Sequence, residues 1–159
     1  MQVGSINLSI ESDDQHVCLI GKAINGLCSL ANFSDIDTYQ VELCVVEAVN
    51  NAIEHAYERA QGKLVEVTFS LYQHKITINI CDTGKVMDEK WLMRDNALPD
   101  FDADDLPSLP EGGWGLAIIQ QVMDEVTYST SNGKNVLTLT KHFTADNHDT
   151  VEHNACPSA

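Results

Sequence analysis

Two runs rich in β-branched residues near the middle of the chain constrain the fold most strongly. They span 64–72 and 75–80, and only Gln73-His74 separates them. A connection of two residues between such runs is typical of a tight hairpin turn. We therefore predict an antiparallel β-hairpin in this part of the chain.

The segments on either side of this hairpin show helical and strand periods. Apolar residues recur at a helical period in three stretches and alternate with polar residues, or form β-branched runs, in three others. Strands are predicted over 2–10, near 126–129 and near 136–143. Helices are predicted over 15–32, from Ser34 or Asp35 to Glu58, and from Gly112 to about Glu125, with Gly62 as the stop of the second helix.

Two segments have no sustained period. Residues 85–112 contain three prolines and an acidic run, and a loop this long inside a compact domain is usually functional or disordered. Residues 144–159 are polar and acidic, and we interpret them as a disordered tail.

Charge and cysteine content limit the classes of function. The chain of 159 residues has 24 acidic and 9 basic side chains, a net charge of −15. Such a field repels phosphate backbones and anionic lipids, so neither nucleic acid nor a membrane is expected as a partner. The five cysteines include no Cys-x-x-Cys pair, which argues against a disulfide framework or a zinc site. With no signal peptide evident at the start, these features predict a cytoplasmic protein.

A polar line on the second predicted helix is the first candidate site. Glu47, Asn51 and His55 follow one another at intervals of four residues, so an α-helix places them on one face. A carboxylate and an amide oxygen stacked in this way suit Mg²⁺, which takes few protein oxygens and retains waters and substrate phosphates. The same spacing is equally consistent with a solvated helix face.

Two further motifs each allow a functional and an ordinary interpretation. Asp82-Thr83-Gly84 follows an apolar strand; its carboxylate can accept from the amine of adenine, but Asp-x-Gly is also a common turn. Gly112-Gly113-Trp114-Gly115-Leu116 opens the third helix. Free N–H groups there can bind phosphate, although a glycine-rich segment is also consistent with a flexible hinge.

The order and spacing of these motifs resemble the GHKL (Bergerat) ATP-binding family, which includes gyrase, histidine kinases and MutL. Within it, the chain is most similar to the anti-sigma-factor serine kinases of bacterial partner-switching systems. The similarity covers most of residues 5–143 and includes Glu-Ala-Val-x-Asn-Ala-Ile-x-His-Ala-Tyr and Gly-Gly-x-Gly-Leu. It implies a two-layer α/β sandwich in residues 1–143, with a mixed, largely antiparallel sheet, helices on one face and an ATP lid over about 85–112.

The resemblance also implies a role for each motif residue. Glu47 would be the catalytic base that deprotonates a substrate serine, and Asn51 would hold Mg²⁺ between the ATP phosphates. Asp82 would receive the adenine amino group, with Gly84 packing under the ring. The backbone around Gly113 and Gly115 would bind the phosphates, and His55 and Leu116 match the motifs that contact the nucleotide.

Two further nucleotide contacts are expected from this chain's own residues. Trp114 departs from the family, which commonly has a small, aliphatic or basic residue there, and its bulk could cover the nucleotide or a protein partner. Lys85, Lys90 and Arg94 are candidates for a phosphate clamp, and Arg94 has the planar fork suited to phosphate.

The function implied by the resemblance is that of an ATP- and Mg²⁺-dependent protein serine kinase. Its substrate would be an anti-anti-sigma protein of the STAS type; it would also sequester a sigma factor and form a homodimer. The main alternative is a nucleotide-binding module that sequesters a partner without phosphorylating it, and a weaker one is a histidine-kinase-like ATPase domain. Glu47 favours the kinase, because a pure binder needs Asn51 but no base.

Overall fold

The structure is a computed structural model that describes residues 1–93 and 114–143. Its main elements are β1 (Gln2–Glu11), α1 (Val17–Cys28), α2 (Asp35–Asn51), β2 (Leu64–Tyr72), β3 (Lys75–Asp82), α3 (Lys90–Met93), α4 (Trp114–Val122), β4 (Glu125–Ser131) and β5 (Lys134–His142). The predicted tail and the lid residues 94–112 lie outside the described residues. In the described part of the chain, no helix combines the length and the apolar character that crossing a bilayer requires.

The five strands form one sheet in the order β1-β2-β3-β5-β4. The predicted hairpin is confirmed, since β2 and β3 pair with Leu71 opposite Ile76. Every pairing is antiparallel, whereas a mixed, largely antiparallel sheet was expected. The connection from β1 to β2 explains part of this difference. Helices α1 and α2 lead the chain back to the end of the sheet where β1 finishes, so that Leu64 pairs with Glu11. Strand β2 therefore runs antiparallel to β1.

The core lies between one face of the sheet and the helices. Every second residue of the central hairpin is buried there, namely Val65, Val67, Phe69, Ile76, Ile78 and Ile80. The helices add residues at a helical period, including Ile24 of α1 and Val41, Val45 and Val49 of α2, all with no exposed surface. The strand period of two and the helix period near 3.6 therefore meet in one core, which confirms the predicted two-layer α/β sandwich.

Helix α2 ends in an irregular turn. Ala52–Ala56 is π-helical, and the N–H of Tyr57 donates to the carbonyl oxygen of Ala52, five residues back, at 2.9 Å. Glu58 and Arg59 then have positive φ angles of 51° and 62°, which a right-handed helix does not accommodate. The helix therefore ends before Gly62, the stop that the sequence offered.

Candidate active site

Helices α2 and α4 meet at Glu47. Gly115 lies in the first turn of α4, and a Cβ added to it would be 2.7 Å from Oε2 of Glu47 and 3.6 Å from Nδ2 of Asn51. Because glycine has no side chain, the α4 backbone can approach both polar groups closely. The structure thus brings Glu47 and Asn51 of α2 together with Gly115 in the first turn of α4.

The amide of Asn51 lies at this junction. Its Nδ2 is buried and has no hydrogen-bond partner among the residues that the structure describes. A buried polar group without a partner costs free energy, so such a group calls for an explanation. Rotation of the amide by half a turn presents Oδ1 at the same position, where an oxygen can ligate a cation. The side chain therefore fits a metal-bound nucleotide.

Glu47 is half-buried beside the same junction. Burial raises the pKa of its carboxyl above the ordinary value, because the charged form loses solvation. A carboxylate with a raised pKa is a stronger base than an exposed one, and its pKa lies closer to the pH at which enzymes work. The environment of Glu47 therefore suits proton abstraction.

The Asp82-Thr83-Gly84 turn packs against the end of the same helix. A Cβ on Gly84 would collide with the carbonyl group of Ala56. The N–H of Lys85 donates to that carbonyl oxygen at 2.8 Å. Because a side chain at position 84 would block this approach, the glycine is required by the packing.

Tyr57 attaches the turn more firmly. Its buried hydroxyl accepts from the N–H of Thr83 at 2.9 Å and donates to the carbonyl oxygen of Leu64 at 2.6 Å. One phenol therefore connects the end of α2 to the turn after β3 and to the start of β2. The Tyr that closes the sequence motif has a structural role.

The carboxylate of Asp82 is buried at the end of β3. Its Oδ1 accepts from the N–H of Gly84 at 2.9 Å and from Nδ2 of Asn135 at 2.8 Å. Asn135 lies on β5 directly opposite Asp82. Asn135 is not among the residues predicted from the sequence, because only the strand register connects it with Asp82. Its one signal is a polar residue at the start of an otherwise apolar and β-branched run.

The other candidate residues are His55, Leu116, Arg94, Gly113 and Trp114, and the structure describes only the first two in full. His55 is exposed in the π-helical turn. Because that turn interrupts the α-helical repeat after Asn51, a spacing of four residues does not by itself align His55 with Glu47 and Asn51. Leu116 is half-buried in α4 and packs against the core. The structure does not describe Arg94, Gly113 or the side chain of Trp114.

In this antiparallel α/β sandwich, Glu47, Asn51 and the Asp82-Thr83-Gly84 turn lie along α2 or at its end, and Gly115 of α4 contacts the first two. These features define an ATP-binding domain of the GHKL class. The family model described as histidine kinase-like ATPase domain matches residues 10–141. The chain therefore belongs to this family. This membership confirms the predicted family and the predicted use of ATP.

Relatives with assigned activities narrow the class. The chain is 31% identical over 129 residues to the serine-protein kinase RsbW of Staphylococcus epidermidis, and the aligned region covers 80% of each chain. It is 30% identical over 156 residues to the serine-protein kinase RsbW of Bacillus pumilus, which covers 96% of this chain and 95% of the relative. These relatives confirm the prediction of a protein serine kinase.

Two solved structures share the fold. The RsbU and RsbW domains of a Mycobacterium tuberculosis protein match with a TM-score of 0.60 at 15% identity, over 88% of this chain and 32% of that one. The SiaB-SiaC complex of Pseudomonas aeruginosa matches with a TM-score of 0.51 at 16% identity, over 88% of this chain and 89% of that one. At these identities the likeness concerns the fold alone, and it agrees with the predicted α/β architecture.

Replacing Gly115 by alanine tests the junction of α2 and α4. We expect Gly115→Ala to weaken ATP binding at least about tenfold, because the added Cβ would meet Oε2 of Glu47 and lie against Nδ2 of Asn51, so that these side chains or α4 must shift. Calorimetry measures the affinity, and thermal unfolding shows whether the fold is retained. Gly26→Ala is the matched control, since a Cβ there meets nothing within 4 Å. Equal ATP affinities of the two variants would contradict the importance of the junction.

Proposed function

We propose that the protein is a Mg²⁺- and ATP-dependent serine kinase and anti-sigma factor that acts by partner switching. It phosphorylates an anti-anti-sigma protein of the STAS type and, when that protein is released, sequesters a sigma factor. The observation that carries the proposal is the half-buried carboxylate of Glu47 next to Gly115 and Asn51. The serine-protein kinase relatives support it along most of the chain.

In this proposal the nucleotide lies along the motif residues. Asp82 accepts from the adenine amino group, and Gly84 packs under the ring. Backbone N–H groups at Gly113 and Gly115 bind the phosphates at the start of α4. Further contacts come from His55, Arg94, Trp114 and Leu116.

Asn51 is the proposed protein ligand of Mg²⁺. Among residues 1–93 and 114–143, no cluster of three or more His, Cys, Asp or Glu side chains is placed to hold a metal ion. In the proposal, phosphate and water oxygens therefore complete the coordination, as Mg²⁺ commonly prefers.

Phosphoryl transfer then requires little covalent chemistry from the protein itself. When bound, ATP would supply the phosphoryl group and Mg²⁺ would neutralise part of its negative charge. Glu47 orients the serine hydroxyl of the partner and takes its proton, while the serine Oγ bonds to the γ-phosphorus and the bond to the ADP oxygen breaks. Most of the acceleration comes from positioning and electrostatic stabilisation. The products are phosphoserine, ADP and a proton that Glu47 returns to solvent.

Incubation with ATP, Mg²⁺ and the STAS protein encoded by a neighbouring gene tests the function. We expect acid-stable phosphoserine on the STAS protein, followed by its release and by stronger binding of the sigma factor. If ATP binds but the STAS protein stays unmodified, the protein is a module that only sequesters. Acid-labile phosphohistidine would instead indicate a histidine kinase.

Two variants separate the base from the metal ligand in that assay. Glu47→Ala should lower the transfer rate roughly a hundred- to ten-thousandfold but leave ATP affinity nearly unchanged, because the base acts on the acceptor hydroxyl. Asn51→Ala should weaken Mg²⁺-ATP binding itself, by at least about tenfold. Glu54→Gln, an exposed change in the next turn, is the control and should preserve both quantities. Unchanged ATP affinity in Asn51→Ala would refute the ligand assignment.

The pH dependence of the transfer rate follows from the burial of Glu47. A base acts in its deprotonated form, and burial raises the pKa of this carboxyl. We therefore expect the transfer rate to fall on acidification at a higher pH than the pH at which an exposed glutamate becomes protonated. Single-turnover rates at saturating ATP measure this, with ATP affinity followed over the same pH range. A rate that stays constant until exposed carboxylates titrate would contradict the role of Glu47 as base.

The acidic surface supports a basic segment of the sigma factor as the second partner. The net charge of −15 attracts positive charge over a distance and favours fast association with such a segment.

The homodimer is proposed to form through β1, an outer strand of the sheet. Residues 2–10 carry no charged side chain, and Val3 and Ile6 are 65% and 46% exposed. Outer strands are usually protected by charge, proline or short length, because their free backbone groups pair readily. Pairing of β1 with β1 of a second copy would satisfy these groups.

A charge in β1 tests this interface. Ile6→Lys should convert the dimer to a monomer in light-scattering measurements, because a charged side chain opposes edge pairing. Leu30→Lys changes another exposed apolar residue, 68% exposed and outside the sheet, and should leave the dimer intact. A monomeric wild-type protein, or a dimeric Ile6→Lys variant, would contradict the proposed interface.

A further inference from the structure

A short chain of hydrogen bonds runs from β4 through β5 to the Asp82-Thr83-Gly84 turn. Asn135 is buried, with 1% of its surface exposed. Its Nδ2 donates to Oδ1 of Asp82 at 2.8 Å and to the carbonyl oxygen of Gly84 at 3.1 Å. Its Oδ1 accepts from the hydroxyl of Thr130 at 2.9 Å. The amide therefore uses both of its ends.

The neighbours of Asn135 allow its amide only one orientation. A carboxylate oxygen of Asp82 and the carbonyl oxygen of Gly84 only accept hydrogen bonds, so the NH₂ group must face them. The amide oxygen then faces Thr130, whose hydroxyl can donate. The reversed amide would set its oxygen against two acceptors and leave buried groups unsatisfied, at a substantial cost in free energy.

This arrangement determines which oxygen of Asp82 remains for a ligand. Within the described part of the chain, the two hydrogen bonds of the carboxylate, from Gly84 and Asn135, both end on Oδ1. These two donors hold the carboxylate in one rotation and leave Oδ2 as the acceptor for a ligand. An acceptor held in this way favours a purine that offers an amine over one that offers a carbonyl oxygen.

We propose that Asn135, whose amide oxygen accepts from Thr130, is a positioning residue that sets the base specificity of the nucleotide site. The inference rests on the proposed function, in which Asp82 receives the amino group of adenine. Asn135 holds Asp82 so that a 6-amino purine is bound and a 6-oxo purine is rejected, since the oxygen of the latter would face Oδ2. Asn135 itself does not touch the nucleotide.

The test compares the dissociation constants of ATP and ITP, which differ at the 6-position of the base, for the full-length protein and its variants. Asn135→Asp replaces the donor by an acceptor of the same shape and should lower the preference for ATP at least about tenfold. Thr130→Val removes the donor to the amide oxygen of Asn135, which holds the amide less firmly, and should lower the preference roughly two- to fivefold. Thr138→Val, another threonine-to-valine change at a half-buried position of β5, should leave the preference unchanged.

The outcomes distinguish this inference from the function on which it rests. If the wild-type protein binds neither nucleotide, or binds both equally, the adenine site is wrong and the inference fails with it. If the wild-type protein prefers ATP and Asp82→Ala abolishes the preference, the site stands. The inference alone is then overturned if Thr130→Val and Asn135→Asp keep the wild-type preference. It is also overturned if both variants weaken ATP and ITP by the same factor, as a purely structural role would.

Discussion

The hydrogen bond from the N–H of Lys85 to the carbonyl oxygen of Ala56 joins the two parts of the site. It forms at the end of the π-helical turn, where carbonyl groups lack helical partners, and Gly84 has no Cβ to prevent the approach. The end of β3 is thereby fixed to the helix that carries Glu47 and Asn51. In the proposed function, the distance between the residues that bind adenine and the residues that bind the phosphates then depends on α2 alone.

That helix also belongs to the core. Val41, Val45 and Val49 of α2 have no exposed surface, so displacement of the helix would open the interior at a large cost in free energy. The polar groups of the site therefore stand on an element that packing already holds in place. Such preorganisation lowers the entropy that binding and positioning must otherwise overcome.

Local patterns in the sequence predicted the elements, and tertiary contacts decided the site geometry. The hairpin and the helices follow from periods of two and 3.6 residues, which need no information from distant parts of the chain. The contact of Gly115 with Glu47 depends on how α2 and α4 pack, and the bond from Asn135 to Asp82 depends on the register of β3 and β5. The π-helical turn that contains His55 likewise has no signal in the residue spacing, because the prediction from spacing assumes an uninterrupted α-helix.

Two glutamates on α2 show how the environment separates a structural carboxylate from the proposed catalytic base. Glu42 is buried, and its two oxygens accept from Nζ of Lys22 and Nδ2 of Asn25 on α1, each at 2.7 Å. It joins two helices and compensates its lost solvation through these donors. Glu47 lies five residues further along and faces a glycine, and burial raises its pKa. Strong hydrogen-bond donors would stabilise the charged form of Glu47 and make it a poor base. The loss of solvation at Glu47 costs stability, but it also raises the affinity of the carboxylate for a proton.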